Sequence, residues 1–194
     1  MNILLFGDTH GLQTFPELLE KSKHVDLCIC LGDFTRGGEN TISTLEKINT
    51  LQAEVLLIHG NHEKEQIVRN TCKQKSNITY IHRNIVERDN YMILGYGGEG
   101  FSFTTKDFES FIRNNKDILK HKKYIFATHQ PPRHTDLDLV GERHVGNNSF
   151  RTFIDAHNPI LSASGHIHEN EGITQQLRET TLVNPGPTGY IITV

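Results

Sequence analysis

Residues 56–63 read Leu-Leu-Ile-His-Gly-Asn-His-Glu: an aliphatic run stops at Gly60, and Asn61, His62 and Glu63 follow at once. A short aliphatic run bounded in this way predicts a buried strand. Glycine lets the backbone turn where a side chain would clash. The three polar residues are therefore expected at the mouth of a sheet, with a rigid strand behind them. Sheets of the α/β type bind their ligands at this end of the strands. Outward from this stretch, the construction repeats. Residues 3–8 are Ile-Leu-Leu-Phe-Gly-Asp with His10 just beyond, and residues 27–33 are Leu-Cys-Ile-Cys-Leu-Gly-Asp. Residues 124–129 are Tyr-Ile-Phe-Ala-Thr-His, and the run from Ile160 ends in Ser-Gly-His-Ile-His at 164–168. Five apolar runs thus end in metal-binding residue types, four of them through a glycine. Strands that merely ended at the surface would present Ser, Lys or Glu as readily as Asp and His, and in no fixed order. One site built at the ends of five neighbouring strands accounts for the pattern.

The bulk properties frame that site. A chain of 194 residues suggests a single domain spanning 1–194, long enough to bury a core without disulfides or a structural metal. The net charge of −3 gives no general electrostatic case for nucleic-acid binding. Cys28, Cys30 and Cys72 are odd in number, two of them lie in an apolar run, and no pair has zinc-ribbon spacing. They read as reduced core residues of a cytoplasmic protein. The first residues read as the strand that delivers Asp8, without a basic region or cleavage site, so no signal peptide is expected. No apolar stretch reaches the length of a membrane span, and no membrane partner is expected.

Strands are expected at 2–6, 26–31 and 55–59. A helix at about 14–23 carries Phe15, Leu18, Leu19 and Ser22 on one face. Asn40 or Thr41 caps a helix bearing Ile42, Leu45 and Ile48, and a third helix at 64–73 turns Ile67 and Val68 inward. Short strands at 78–82, 85–88 and 91–95, with turns at Asn84 and Asp89-Asn90, mark the crossing into a second sheet. Residues 96–100 read as a flexible loop. Thr104 and Asp107 suggest a capping box for a helix with Phe108, Phe111 and Ile112. A strand at 124–128 leads into an irregular loop at 130–148. Ser149 caps a helix with Phe150, Phe153 and Ile154 inward, and strands follow at 161–164, 172–177, 181–184 and 189–194.

The polar groups at the strand ends are Asp8, His10, Asp33, Asn61, His62, His129, His166 and His168. Mixed nitrogen and oxygen donors suit manganese, iron, zinc or nickel better than calcium or magnesium. Eight groups are too many for one ion and about right for two, and a carboxylate such as Asp33 can bridge two cations. Two metals about 3.5–4 Å apart clamp the attacking and leaving oxygens of a phosphoryl displacement. Their positive charge exceeds what Asp8, Asp33 and a bridging hydroxide return, so an anion is attracted. Bound water is acidified enough to supply hydroxide near neutral pH.

As a set, Asp8-Thr9-His10, Gly32-Asp33, Gly60-Asn61-His62-Glu63, His129 and Gly165-His166-Ile167-His168 resemble the five-block signature of the calcineurin-like metallophosphoesterases. His129-Gln130-Pro131-Pro132 and Arg143-His144-Val145-Gly146 strengthen the resemblance to the small, uncapped bacterial and archaeal members. The resemblance implies an α/β fold: a two-sheet β-sandwich flanked by helices, with a dinuclear site on the strand ends. Carried over block by block, it implies Asp8, His10, Asp33 and His168 around one metal. Asp33, Asn61, His129 and His166 would surround the other, with manganese the first candidate. His62 resembles the family's histidine that contacts the substrate phosphate and protonates the leaving oxygen. In the protein-phosphatase branch, a carboxylate three residues after the bridging aspartate orients that histidine; here Arg36 stands there. Either the loop is one residue shorter or another group orients His62. Glu63 and Lys64 also depart from that branch's phosphate-binding arginine pattern, which argues against a protein Ser/Thr phosphatase. Arg36 is weighed evenly as a phosphate contact or a solvated loop charge.

The expectation is a metal-dependent phosphoesterase in which hydroxide attacks phosphorus in line and Asn61 helps hold the phosphate. An uncapped site favours small phosphodiesters, with phosphomonoesters next. The competing readings are a nuclease, whose relatives carry extra domains and basic surfaces, and a non-catalytic scaffold like the retromer subunit of this fold. Eroded ligand blocks usually accompany the scaffold reading, whereas every block here is intact. Exposed strand edges leave a homodimer open.

Seven of the twelve histidines lie outside the blocks: His24, His59, His82, His121, His134, His144 and His157. His59 reads as structural, and His134 and His144 could line the pocket. The run from Lys120 to Lys123 reads as a solvated helix end. Asn184, in a Pro-Gly-Pro turn, could steady a ligand from behind.

Overall fold

The structure, a computed structural model, describes residues 1–11, 13–120 and 123–194. Its first part alternates strand and helix: β1 (Asn2–Phe6), α1 (Phe15–Lys21), β2 (Leu27–Cys30), α2 (Thr41–Ile48), β3 (Glu54–Leu57), α3 (Glu65–Cys72) and β4 (Ile78–Tyr80). An antiparallel pair, β5 (Asn84–Arg88) and β6 (Tyr91–Tyr96), leads through α4 (Lys106–Asn114) to β7 (Lys123–Thr128). A small ribbon of β8 (Leu139–Val140) and β9 (Arg143–His144) precedes α5 (Asn148–His157). Strands β10 (Leu161–Ala163), β11 (Thr174–Leu177), β12 (Thr180–Val183) and β13 (Tyr190–Thr193) complete the described elements.

The first sheet has the order β13-β1-β2-β3-β4, parallel except for β13 at its edge. The second has the order β11-β12-β10-β7-β6-β5, with four parallel strands between two antiparallel edges. Strand β1 shows why the runs are continuously apolar. Ile3 and Leu5 enter a core between the sheets with Ile29, Leu56, Ile125 and Ala163. Leu4 and Phe6 point the other way, into a core with Leu18, Leu45 and Val68 from the helices. A parallel strand covered on both faces has no polar alternation to show. Leu94, Phe126 and Leu182 of the second sheet pack beneath Phe108, Phe150 and Phe153 of α4 and α5. The layers run helix, sheet, sheet, helix, as expected.

Several local expectations are corrected. Helix α1 ends at Lys21, and a short 3-10 turn continues to His24. Neither Asn40 nor Thr41 caps α2: Asn40 is left-handed at φ 55°, and the Thr41 hydroxyl donates back to the Gly38 carbonyl. Ile42 and Ile67 are 57% and 41% exposed, so only their neighbours Leu45, Ile48 and Val68 serve the core. The Thr104–Asp107 capping box does not form. Thr105 precedes α4 instead, with its N–H donating to Ser149 Oγ. Helix α5 is capped by Asn147, which accepts from the N–H groups of Ser149 and Phe150. The Ser149 hydroxyl is taken up by Thr105 and Glu109, distant in sequence, while that of Thr41 is satisfied within its own loop.

The three cysteines are buried and free, and burial pushes the thiols of Cys28 and Cys72 up to about 12. No helix among the described residues is long and apolar enough to cross a membrane. His121 lies outside the described residues, so the run from Lys120 to Lys123 is described only at its ends.

Candidate metal centre

Three consecutive strands of the first sheet, β1, β2 and β3, lead into Asp8, Asp33 and Asn61, and two adjacent strands of the second, β7 and β10, lead into His129 and His166. The five strand ends meet. Ligand atoms of Asp8, His10 and His168 converge in one group, and those of Asp33, His129 and His166 in another. A third group joins His10, Asp33 and His62, and within each group the atoms lie within 4.8 Å of one another.

The backbone is forced into this shape. Asp8, His10, Asp33 and His166 have φ values of 53°, 39°, 49° and 71°. Such left-handed conformations are uncommon for non-glycine residues and collect at functional sites, where the surroundings hold them. The glycines give the carboxylates room. A Cβ at Gly60 would collide with the Asp33 carboxylate, and one at Gly165 with that of Asp8.

Hydrogen bonds from behind aim the donors. His129 Nδ1 donates to the Leu31 carbonyl at 2.9 Å, which turns Nε2 toward Asn61 Oδ1 (2.9 Å) and Asp33 Oδ2 (3.4 Å). His10 Nδ1 donates to the Thr35 carbonyl at 3.2 Å, and its Nε2 lies 3.1 Å from His168 Nε2. The His166 N–H donates to Asp8 Oδ2, and Asn184 Nδ2 donates to the Ile167 carbonyl, steadying the turn that carries both histidines. Asp8 Oδ1 and His166 Nε2 are buried without a hydrogen-bond partner. A buried polar atom left unmatched costs about 1–3 kcal/mol, and both residues belong to the converging groups. Orphaned donors of mixed N and O type fit a divalent transition metal.

Glu63 is the residue whose role the sequence does not reveal. It is 6% exposed, and its carboxylate accepts from the N–H groups of Asp33, Gly60 and Thr35 and from the Thr35 hydroxyl, at 2.7–3.0 Å. It thereby ties the β2 and β3 turns together. The only signal was its place directly after Asn61 and His62. The group that orients His62 is also resolved: the Gly37 N–H donates to His62 Nδ1 at 3.0 Å. With Nδ1 accepting, the neutral imidazole carries its proton on Nε2, 3.9 Å from Asp33 Oδ2. Arg36 is exposed, and its Nε donates to the His10 carbonyl at 2.9 Å. It lines a cleft of about 220 Å³ with His10, Gln13, Thr35 and Glu39.

Two expectations for the remaining histidines resolve differently. His59 is buried and structural, with Nδ1 2.7 Å from the Tyr80 hydroxyl. His134 and His144 stack edge to face on each other, His144 bonds Asp138, and neither joins a metal-type group.

Charge is polarised across the centre. Burial alone would raise Asp33, but the His129 hydrogen bond and charge outweigh it and hold the carboxyl down at about 2. Burial would lower His129, and Asp33 instead lifts it to about 9. Burial raises Asp8 to about 6 and lowers His166 to about 4. Metal ligands must be unprotonated. His129 keeps its proton until pH rises through about 9, so metal loading near neutral pH is expected to release about one proton from it, and affinity is expected to climb with pH. Calorimetry of manganese binding in buffers of different ionisation enthalpy checks this. A buffer-independent heat would exclude His129 from the ligand set.

No curated protein matches this chain. Solved structures share its fold at low identity. TT1561 of Thermus thermophilus is similar at 15% identity with a TM-score of 0.80, covering 96% of this chain and 89% of that one. The phosphopantetheinyl hydrolase PptH of Mycobacterium tuberculosis is 12% identical with a TM-score of 0.66, over 95% and 88% of the two chains. A dimetal phosphatase of Danio rerio is 9% identical with a TM-score of 0.66, over 97% and 88%. The family model described as calcineurin-like phosphoesterase matches residues 1–170, and the chain belongs to that family.

Proposed function

We propose that residues 1–194 act as one cytoplasmic phosphoesterase domain that uses two divalent metals to hydrolyse small phosphodiesters, and phosphomonoesters less readily. The observation that carries this reading is the convergence of five strand ends into metal-type groups chained together through His10 and Asp33, with Asp8 Oδ1 and His166 Nε2 buried and unmatched. Asp8, His10, Asp33 and His168 would hold one metal, and Asp33, Asn61, His129 and His166 the other. Manganese is the first candidate, and iron, zinc or nickel fit the same donors. Bound there, divalent ions supply positive charge toward a phosphoryl oxygen and acidify water.

The chain's own residues do the rest. The Asn61 amide N–H would donate to a phosphate oxygen. The Gly37 N–H sets the His62 tautomer with its proton on Nε2, where it would hydrogen-bond the departing oxygen and share that proton as negative charge develops there. General acid help of this kind is worth about 10²–10⁴-fold. His62→Gln is therefore expected to slow an alkyl diester by about that factor and a p-nitrophenyl diester far less, because nitrophenolate leaves without a proton. Equal losses on the two substrates would remove His62 from the acid role. Arg36 lines a cleft that includes His10, a member of two of the metal-type groups, and from there it would reach a phosphate oxygen. Arg36→Ala is expected to raise KM with kcat little changed, and an unchanged KM would take Arg36 out of the site.

Hydrolysis of bis-p-nitrophenyl phosphate tests the function itself. Turnover with added manganese that a chelator abolishes is the expected result. No turnover by protein that still binds two metals would move a non-catalytic binding role to the front.

A further inference from the structure

The two most exposed large apolar side chains among the described residues, Phe101 at 70% and Phe103 at 60%, sit on the loop beside the metal centre. The Phe101 ring lies against His166, with centroids 4.5 Å apart at 60°, and Gly100 passes next to Asn61 and His166. The Arg133 guanidinium lies over the Phe103 ring, 4.9 Å from its centroid. The loop is anchored from behind. The Gly98 N–H donates to the His59 carbonyl at 2.8 Å, and the Asn148 N–H to the Phe103 carbonyl at 2.8 Å. The Ser102 carbonyl accepts from the side-chain amides of Gln130 at 3.1 Å and Asn147 at 3.2 Å. With the backbone between them turned inward, both rings are held out in water.

Single exposed apolar residues are ordinary surface. Two aromatic rings held outward beside converging metal ligands call for an occupant. We propose that Phe101 and Phe103 form a stacking platform for a planar heterocyclic base, which makes nucleotide esters the substrate class of this centre. The proposal rests on the phosphoesterase reading above. The phosphate would lie at the metal-type groups, and the sugar would carry the base past His166 onto Phe101. An aromatic face accepts any base, because every base offers a π-face. Arg133 adds a cationic plane at the far end of the platform.

The test compares adenosine 5′-monophosphate with ribose 5-phosphate, which keeps the sugar and phosphate but lacks the base. Their affinities are measured by calorimetry on the manganese-loaded protein. The nucleotide is expected to bind about tenfold or more tightly than ribose 5-phosphate, the scale of one base stacked on one ring. Phe101→Ala is expected to erase that preference and leave ribose 5-phosphate affinity unchanged, which also shows the fold and phosphate site intact. Phe101→Trp should restore it. Equal affinities in the unaltered protein, no detectable nucleotide binding, a preference that survives Phe101→Ala, or equal losses for both ligands would each overturn the proposal. Affinity and turnover are read as separate quantities, so a protein that stacks the nucleotide on Phe101 yet hydrolyses no ester would refute the phosphoesterase reading alone.

Discussion

Asp33→Asn is expected to abolish loading of two metals and to cut turnover by about 10⁴-fold or more, the scale seen when one member of a catalytic unit is removed. Asp33 is the one residue that belongs to both the group with His129 and His166 and the group with His10 and His62. Its Oδ2 faces His129 Nε2 at 3.4 Å and His62 Nε2 at 3.9 Å, while Oδ1 accepts the His62 N–H at 2.9 Å. The His129 pairing keeps it ionised down to about pH 2 against the penalty of burial. An amide of the same shape brings no charge and only one acceptor oxygen, so it cannot bridge two cations. The main-chain N–H that Glu63 holds is untouched by the change, so the fold should persist. Metal content by elemental analysis, with melting temperature as the control, checks the result. A folded variant that retains two ions would refute the bridging role.

Glu63→Ala is expected to be the most damaging change to stability. The substitution strips the partners from three buried backbone N–H groups, those of Asp33, Thr35 and Gly60. Each orphaned donor costs about 1–3 kcal/mol. Water entering the space offsets part of this, leaving a loss of about 3 kcal/mol or more. In a domain of this length that corresponds to a fall in melting temperature of roughly 10 °C. Activity should fall with it, because the β2 and β3 turns that carry Asp33 and Asn61 lose their common tie. Thermal unfolding of the metal-free protein isolates the effect from metal binding. A shift of only a degree or two would show that Glu63 is not the strut described here.

The strands and their polar ends were legible because a strand covered on both faces leaves an unbroken apolar run, and a tight turn beside a carboxylate demands glycine at Gly60 and Gly165. Helix existence was legible from periodicity, but the details depended on partners far away in sequence. Ile42 and Ile67 fit a helical stripe, yet α2 and α3 turn them toward solvent. Ser149 looked like a cap, but its hydroxyl accepts the N–H of Thr105, and Asn147 caps the helix instead. The group that orients His62 was invisible because it is a main-chain N–H, at Gly37, rather than a side chain. Glu63 was quoted as a polar residue at a sheet mouth. Its burial depends on two loops closing over it, which no local pattern encodes. The aromatic loop was read only for its glycines, and the hydrogen bonds that turn Phe101 outward come from Gln130 and Asn147, well along the chain.

The most direct test of the account is an anomalous difference map from a crystal of this protein soaked in manganese, measured at the manganese edge. Two peaks are expected, one among Asp8, His10 and His168 and one among Asn61, His129 and His166, with the Asp33 carboxylate between them. A single peak, or density at neither group, would contradict a dinuclear centre built on the five strand ends.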